Sequence, residues 1–187
     1  KHIFDYWDKF TNWHAGVSID AIGARSEYVR SGTVWSKLDS NINMLCERYN
    51  KPHTYQTFGL DCTVSALNTS GMMEFFDYIN DHNIDRFVWT NYVYSPSYLH
   101  VSILPRYYRE RLVKELEDYF AAGVKIGQKS VLDEDGLAFY RNQMLNNEIA
   151  TSEDKQRFKD FILNKDKVRG TNIFDSCPEF KDIWDDI

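Results

Sequence analysis

Short apolar segments alternate with longer amphipathic ones over the first two thirds of the chain, and this alternation limits the possible folds. Residues 14–20, 58–65 and 86–92 favour strands, and the intervals between them carry apolar residues at helical spacing. Strands separated by helices lie parallel and are joined by right-handed crossovers. A further strand is expected at 99–104. The chain is therefore predicted to be α/β, with a half-barrel or open sheet of about four mainly parallel strands, since a closed barrel takes about eight.

The helices are predicted from apolar stripes. Residues 35–49 carry apolar side chains at spacings of three and four, which places them on one helix face. Thr33 is expected to cap this helix, because its hydroxyl can accept from a free amide of the first turn. Similar patterns predict helices beginning near Met72 and Pro105, and Thr151 opens a pattern like a capping box.

The composition changes after Gly123. Residues 125–136 lack apolar periodicity and are interpreted as a linker. We therefore expect an α/β part over residues 1–124 and a helical C-terminal extension over residues 125–187.

Charge and composition exclude some classes of function. A hydrophobic content of 43% indicates a packed globular protein. The net charge of −6 argues against nonspecific binding to nucleic acid, which needs a basic surface. The sequence contains no run of 18 apolar residues, so no membrane-spanning helix is predicted. Three cysteines far apart in the sequence suit a reducing, cytoplasmic environment.

Ser18 and Arg30 are the first candidates for a binding site. Ser18 stands near the end of a predicted strand, and Arg30 follows twelve residues later. Parallel α/β folds place their sites at such strand ends, where a hydroxyl and a guanidinium can converge on a small anionic ligand. The alternative is that the serine bonds its own backbone and the arginine pairs with Glu27 or Asp20. Asp20 is likewise either a base or ligand contact, or a cap of the next turn.

Six short motifs resemble, in their order along the chain, the second half of the radical SAM core with a shortened, twitch-type C-terminal extension. They are SID at 18–20, EYVR at 27–30, TVW at 33–35, TVSALN at 63–68, ILP at 103–105 and VRGTNIFDSCPEF at 168–180.

The resemblance implies a partial, half TIM-like barrel that forms part of a pocket for S-adenosylmethionine. In that family a serine and an arginine at the positions of Ser18 and Arg30 contact the amino-acid part of the cofactor. Asp20 and Asn68 are implied as further pocket residues, with Asn68 near the ribose or adenine. The full-length parent would be an oxidoreductase or transferase that cleaves S-adenosylmethionine reductively at a 4Fe-4S cluster.

The cysteines do not follow the family's cluster motif. Radical SAM enzymes hold the cluster through C-x3-C-x2-C, whereas Cys46, Cys62 and Cys177 are widely separated. The histidines likewise lack the spacing of a zinc site. Because the chain begins at Lys1 within a helical pattern, we expect a C-terminal fragment that holds no cofactor or metal by itself and is inactive alone.

A second interpretation is a non-catalytic α/β module that acts through protein contacts. A half-barrel that lacks its N-terminal strands is expected to leave an unpaired sheet edge at the strand 17–20. Exposed edges recruit partners, and identical chains most often solve this by symmetric dimerisation. The chain is therefore predicted to be a homo-oligomer, unless helices within residues 137–187 cover the opening.

Overall fold

The computed structural model describes residues 3–49, 55–84, 86–123 and 134–187. The predicted boundary at residue 124 and most of the region predicted as a linker, 125–136, lie outside these ranges.

The sheet is open and parallel, with its strands side by side in chain order. Three strands form it in the described ranges, β1 (Asn12–Ser18), β2 (Tyr55–Val64) and β3 (Phe87–Tyr92). Ser18 lies opposite Asp61, and the β2–β3 register shifts between Asp61 and Thr63. The prediction of an α/β fold with an open parallel sheet is confirmed at this level.

Helices occupy most of the remaining described chain. Before the last strand these are α1 (Phe4–Trp7), α2 (Gly23–Val29), α3 (Trp35–Tyr49) and α4 (Met72–Asp81). After it come α5 (Arg106–Ala121), α6 (Glu134–Leu145), α7 (Ser152–Arg169), α8 (Ile173–Ser176) and α9 (Phe180–Ile183). The helices predicted at 35–49 and near Met72, Pro105 and Thr151 are all present.

Thr33 does not cap α3, so this prediction is wrong. The helix begins at Trp35, and the Trp35 amide donates to the Glu27 carboxylate at 2.7 Å. Glu27 lies on α2, so a side chain from a neighbouring helix satisfies an amide that the local sequence was expected to satisfy.

The strand predicted at 99–104 is also wrong. Residues Ser97–Leu99 and Val101–Ile103 form two short 3-10 turns. Val101, Ile103 and Leu104 are all buried, and a short apolar run of this kind does not by itself distinguish a strand from a buried turn. A local hydrogen bond from the Ser102 amide to the imidazole of His100 favours the turn.

The two faces of the sheet differ. Phe58, Leu60, Cys62 and Val64 of β2 point into the core together with Phe87 and Trp89 of β3. On the opposite face His14, Gly16 and Ser18 are exposed, and Thr57, Asp61 and Thr63 are half-buried. We call this second surface the open face; its residues are small or polar.

His100 links the two 3-10 turns to the start of α7. Its Nδ1 lies 2.8 Å from Ser102 Oγ and accepts from the Ser102 amide. Ser102 Oγ in turn accepts from the amides of Ile149 and Ala150 at 3.2 and 2.9 Å. The next residue is Thr151, whose side chain and Asp154 form the predicted capping box of α7. The neutral imidazole therefore acts as an acceptor at Nδ1.

None of the helices in the described ranges is both long enough and apolar enough to cross a membrane.

The structure predicts that His100 makes stability pH-dependent. Burial, followed by the nearby charge of Arg109, lowers the pKa of His100 from 6.5 to about 4. The unfolded chain binds a proton below pH 6.5 and the folded chain does not, so stability is lost as pH falls from about 6.5 to 4. The free energy of unfolding should drop by about 2 kcal/mol more between pH 7 and pH 5 than in His100→Asn.

Asparagine retains an acceptor near the Ser102 amide but does not titrate, so it is the matched variant. Urea unfolding at both pH values measures the difference. Equal pH dependence in the two proteins would contradict the assignment.

Candidate functional site

The Asp20 carboxylate joins three elements at the carboxyl edge of the sheet. Oδ2 accepts from Arg30 Nε at 2.6 Å, and Oδ1 accepts from the amide of Thr63 at 3.1 Å. Asp20 follows β1, Arg30 follows α2, and Thr63 lies near the end of β2. Of the two partners considered for Arg30, the structure selects Asp20.

Arg30 keeps much of its guanidinium accessible. Its side chain is 43% exposed, against 12% for Asp20. Within the described chain the side chain of Arg30 makes its hydrogen bond through Nε, and the edge formed by Nη1 and Nη2 has no hydrogen-bond partner there. That edge has the geometry that pairs two N–H groups with one carboxylate. Arg30 can therefore bind an anionic group without losing its hydrogen bond to Asp20.

Asn68 holds the ends of β1 and β2 together. It is 1% exposed. Its Nδ2 donates to the carbonyls of Asp20 at 2.7 Å and Thr63 at 3.0 Å, while Oδ1 accepts from the amide and hydroxyl of Ser65 at 2.6 and 3.0 Å. All these bonds are internal, so Asn68 positions the site. Its contact with a ribose or adenine stays a prediction.

Ser18 shares the surface but not this hydrogen-bond network. It ends β1 on the open face, opposite Asp61 in the strand register. Ile19 is fully buried between Ser18 and Asp20, which places those two side chains on the same side of the chain. The structure thus connects Asp20, Arg30 and Asn68 directly and places Ser18 along the same face.

Gly16 makes room for a carboxylate on the open face. A Cβ atom at Gly16 would collide with Oδ2 of Asp61, so the Asp61 side chain lies across the glycine. His14 stands on the same strand, with Nδ1 3.1 Å from Thr57 Oγ1. Partial burial and the charge of Arg86 lower the pKa of His14, and Asp61 opposes them. The sequence analysis missed this contact; a glycine inside a strand is the general signal that could have pointed to it.

The described cysteines do not fit an iron–sulfur cluster. Cys62 and Cys177 are fully buried, and each thiol lies 3.7 Å from a backbone carbonyl, of Asp20 and Leu67 respectively. Burial raises the pKa of Cys62 and raises that of Cys177 to about 12, whereas cluster ligands are thiolates. In the described ranges no three His, Cys, Asp or Glu side chains are grouped to hold a metal ion.

A buried ion pair lies behind the site. Arg25 of α2 donates from Nη1 and Nη2 to the two carboxylate oxygens of Glu179, at 2.6 and 3.0 Å. These side chains are 9% and 14% exposed, and a cavity of about 460 Å³ opens beside them. In the sequence Glu179 stands out only as a member of the motif at 168–180, because nothing local reveals a partner this far away in the chain.

We find no match to this chain among protein-family models, curated proteins or solved structures.

Replacing Asn68 is expected to destabilise the chain strongly. Asn68→Ala leaves the Ser65 amide and the carbonyls of Asp20 and Thr63 buried without their partner. Unsatisfied buried groups are costly, so the free energy of unfolding should fall by about 3 kcal/mol.

Asn146→Ala is the matched control, since the exposed Asn146 directly follows α6 and its side chain bonds only Asn142, four positions earlier, among the described residues. It should cost less than about 0.5 kcal/mol. Urea unfolding at neutral pH compares the two variants, and similar losses would argue against a central role for Asn68.

Proposed function

We propose that the carboxyl edge of the sheet is part of a pocket for S-adenosylmethionine in a radical SAM-type enzyme. The observation that carries the proposal is the Asp20–Arg30 pair, made at the end of the first parallel strand through Nε of an arginine side chain that is 43% exposed. These are two of the residues that the motifs resembling that family assign to the cofactor. A cytoplasmic location, suited to the three free cysteines, belongs to the same proposal.

The open face supports a barrel-like arrangement. All-parallel sheets normally have both faces covered, and in a TIM barrel the strands are neighbours in chain order with helices outside. Here the strands follow chain order and the core packs against one face. We infer that residues 1–124 form one half of a TIM-like wall, with the open face inward, and that residues 125–187 form the extension.

The residues fit the amino-acid end of S-adenosylmethionine. The Nη1–Nη2 edge of Arg30 suits the carboxylate of the ligand, while the Asp20 carboxylate can accept from the ligand's ammonium group. Ser18 adds a hydroxyl on the same face. In the parent enzyme, bound S-adenosylmethionine would supply the radical after reductive cleavage at a cluster, held by ligands other than the described cysteines. We therefore expect the isolated chain to be inactive and to bind the compound weakly.

A titration with S-adenosylmethionine tests this proposal. Two-dimensional amide NMR of the 15N-labelled chain at millimolar ligand should show shifts centred on residues 18, 20 and 30. Arg30→Ala should weaken binding by more than about tenfold, because it removes a charged hydrogen-bond donor.

Arg157→Ala is the matched control, because Arg157 is exposed on α7 and pairs with Glu153 within that helix. It should leave the titration unchanged. Shifts centred elsewhere, no shifts at all, or affinity that survives Arg30→Ala would contradict the proposal.

A second candidate function is association of two copies through β1. Among the described strands β1 pairs only with β2. The Ile19 amide donates to the Asp61 carbonyl of β2, so the amides of Ser18, Gly16 and His14 point away from β2, toward the free edge. Such an edge is a template for another strand.

The side chains of β1 favour a second copy in antiparallel pairing. A register centred on Ala15 sets His14 of one copy opposite Gly16 of the other. In that second copy the Asp61 side chain lies over Gly16, so it faces the His14 imidazole of the first copy. An imidazole then meets a carboxylate twice, once on each side of the two-fold axis. Exposed Phe10 and the adjacent Trp13 flank a groove beside this edge and add apolar surface.

Light scattering at increasing concentration tests the dimer. The mass should approach twice the 22.1 kDa of one chain at high micromolar concentration. His14→Pro should shift the protein to monomer, because proline removes an outward amide at a position where an edge strand tolerates it.

His14→Ala keeps that amide and should dimerise more strongly than His14→Pro. A concentration-independent mass of one chain in the wild type would refute the dimer.

A further inference from the structure

The C-terminal extension holds both ends of α2, the helix from which Arg30 emerges. We infer that Arg169 and Glu179 are positioning residues, which set the geometry of the Asp20–Arg30 pair from the far end of the chain. The inference rests on the proposed function for the ligand that this pair would bind, but the positioning itself is tested without a ligand.

Arg169 holds the C-terminal end of α2. Its Nη1 donates to the carbonyl of Tyr28 at 2.9 Å, and its Nη2 donates to the carbonyl of Glu27 at 3.0 Å. The last carbonyls of a helix lack intrahelical partners and carry partial negative charge, so a guanidinium stabilises them. Gly170 ends α7 in the left-handed conformation, with φ of 64°, which lets the chain turn directly after Arg169.

Glu179 holds the other end of α2 through Arg25. The same guanidinium also donates to the carbonyl of Leu67 at 3.1 Å, and the Ser70 hydroxyl makes a very short contact with Glu179. Burial favours the neutral acid, but Arg25 and Ser70 hold the pKa of Glu179 below its usual value. The carboxylate is therefore charged at neutral pH and its two oxygens are bound.

These contacts matter for Arg30 because α2 is short. A helix of seven residues has little stability of its own, so tertiary contacts must set its direction. Arg30 is the first residue after it, and its amide still donates to the carbonyl of Ser26. Any rotation of α2 therefore moves the Arg30 side chain relative to Asp20, which is attached to β1 and β2.

Ordinary packing of the extension makes a different prediction from positioning. If Arg169 only stabilised the fold, its replacement would lower the unfolding temperature and leave the Asp20–Arg30 hydrogen bond unchanged in the folded protein. If it positions Arg30, the bond should weaken while the chain is still fully folded.

The arginine Nε–H signals in NMR spectra of the full chain distinguish these cases. Arg30 Nε–H, bound to Asp20, should exchange slowly with water. In Arg169→Gln it should exchange at least about tenfold faster, at a temperature well below unfolding. Arg157→Gln lies about three turns before Arg169 on the same helix and should leave the signal unchanged.

Two further variants keep the test decisive. Thr151→Ala removes the capping box at the opposite end of α7 and should lower stability with no change at Arg30. Arg169→Lys keeps the positive charge but loses the two N–H groups that bind two carbonyls at once. It should give an intermediate exchange rate for Arg30 Nε–H even if Arg169→Gln does not fold. An unchanged Arg30 signal in a folded Arg169 variant overturns the inference.

Titration of the same variants with S-adenosylmethionine separates this inference from the proposed function. If the Arg30 signal changes but the wild type binds no S-adenosylmethionine, positioning holds and the proposed ligand is wrong. If the wild type binds the ligand and the Arg30 signal is insensitive to Arg169, the proposed function holds and positioning is wrong.

Discussion

The carboxyl edge of the sheet depends on a single buried amide. Asn68 uses both of its polar atoms to bind the backbone at the ends of β1 and β2. A buried polar group is stabilising only when it is fully bonded, so this arrangement admits few alternatives. It holds the main chain of Asp20 in place, and from there the carboxylate reaches Arg30 and the Thr63 amide. The candidate site is therefore built on backbone geometry, with its accessible charge on Arg30.

One-sided packing gives the sheet the surface to which both proposals refer. The core takes the apolar side chains of β2 and β3, which leaves small and polar residues on the other face. This face and the free edge of β1 are adjacent, so a ligand at the strand ends and a second chain at the edge would occupy neighbouring regions.

Local patterns predicted much of the fold and part of the site. The apolar spacing of 35–49 and the Thr151 pattern predicted α3 and the capping box of α7, because both depend on residues within one or two turns. Asp20, Arg30 and Asn68 were selected from strand-end positions and from the family resemblance, and they meet in the structure. The predictions at 99–104 and Thr33 failed where a buried turn or a side chain from another helix replaced the local rule.

The sequence by itself determined the three strands, the longer helices between and after them, and their parallel arrangement, because these follow from periodicity and chain connectivity. It also singled out the strand ends as the candidate site, whereas the short helix α2 appeared only in the structure. Tertiary structure decided which charges pair. Arg25 and Glu179 lie 154 positions apart, and Arg169 reaches carbonyls 141 and 142 positions away. Such partners leave no local pattern, since their distance is set by how helices pack on the sheet. The open face was likewise decided by packing, because only the folded chain shows which side of a strand the helices cover.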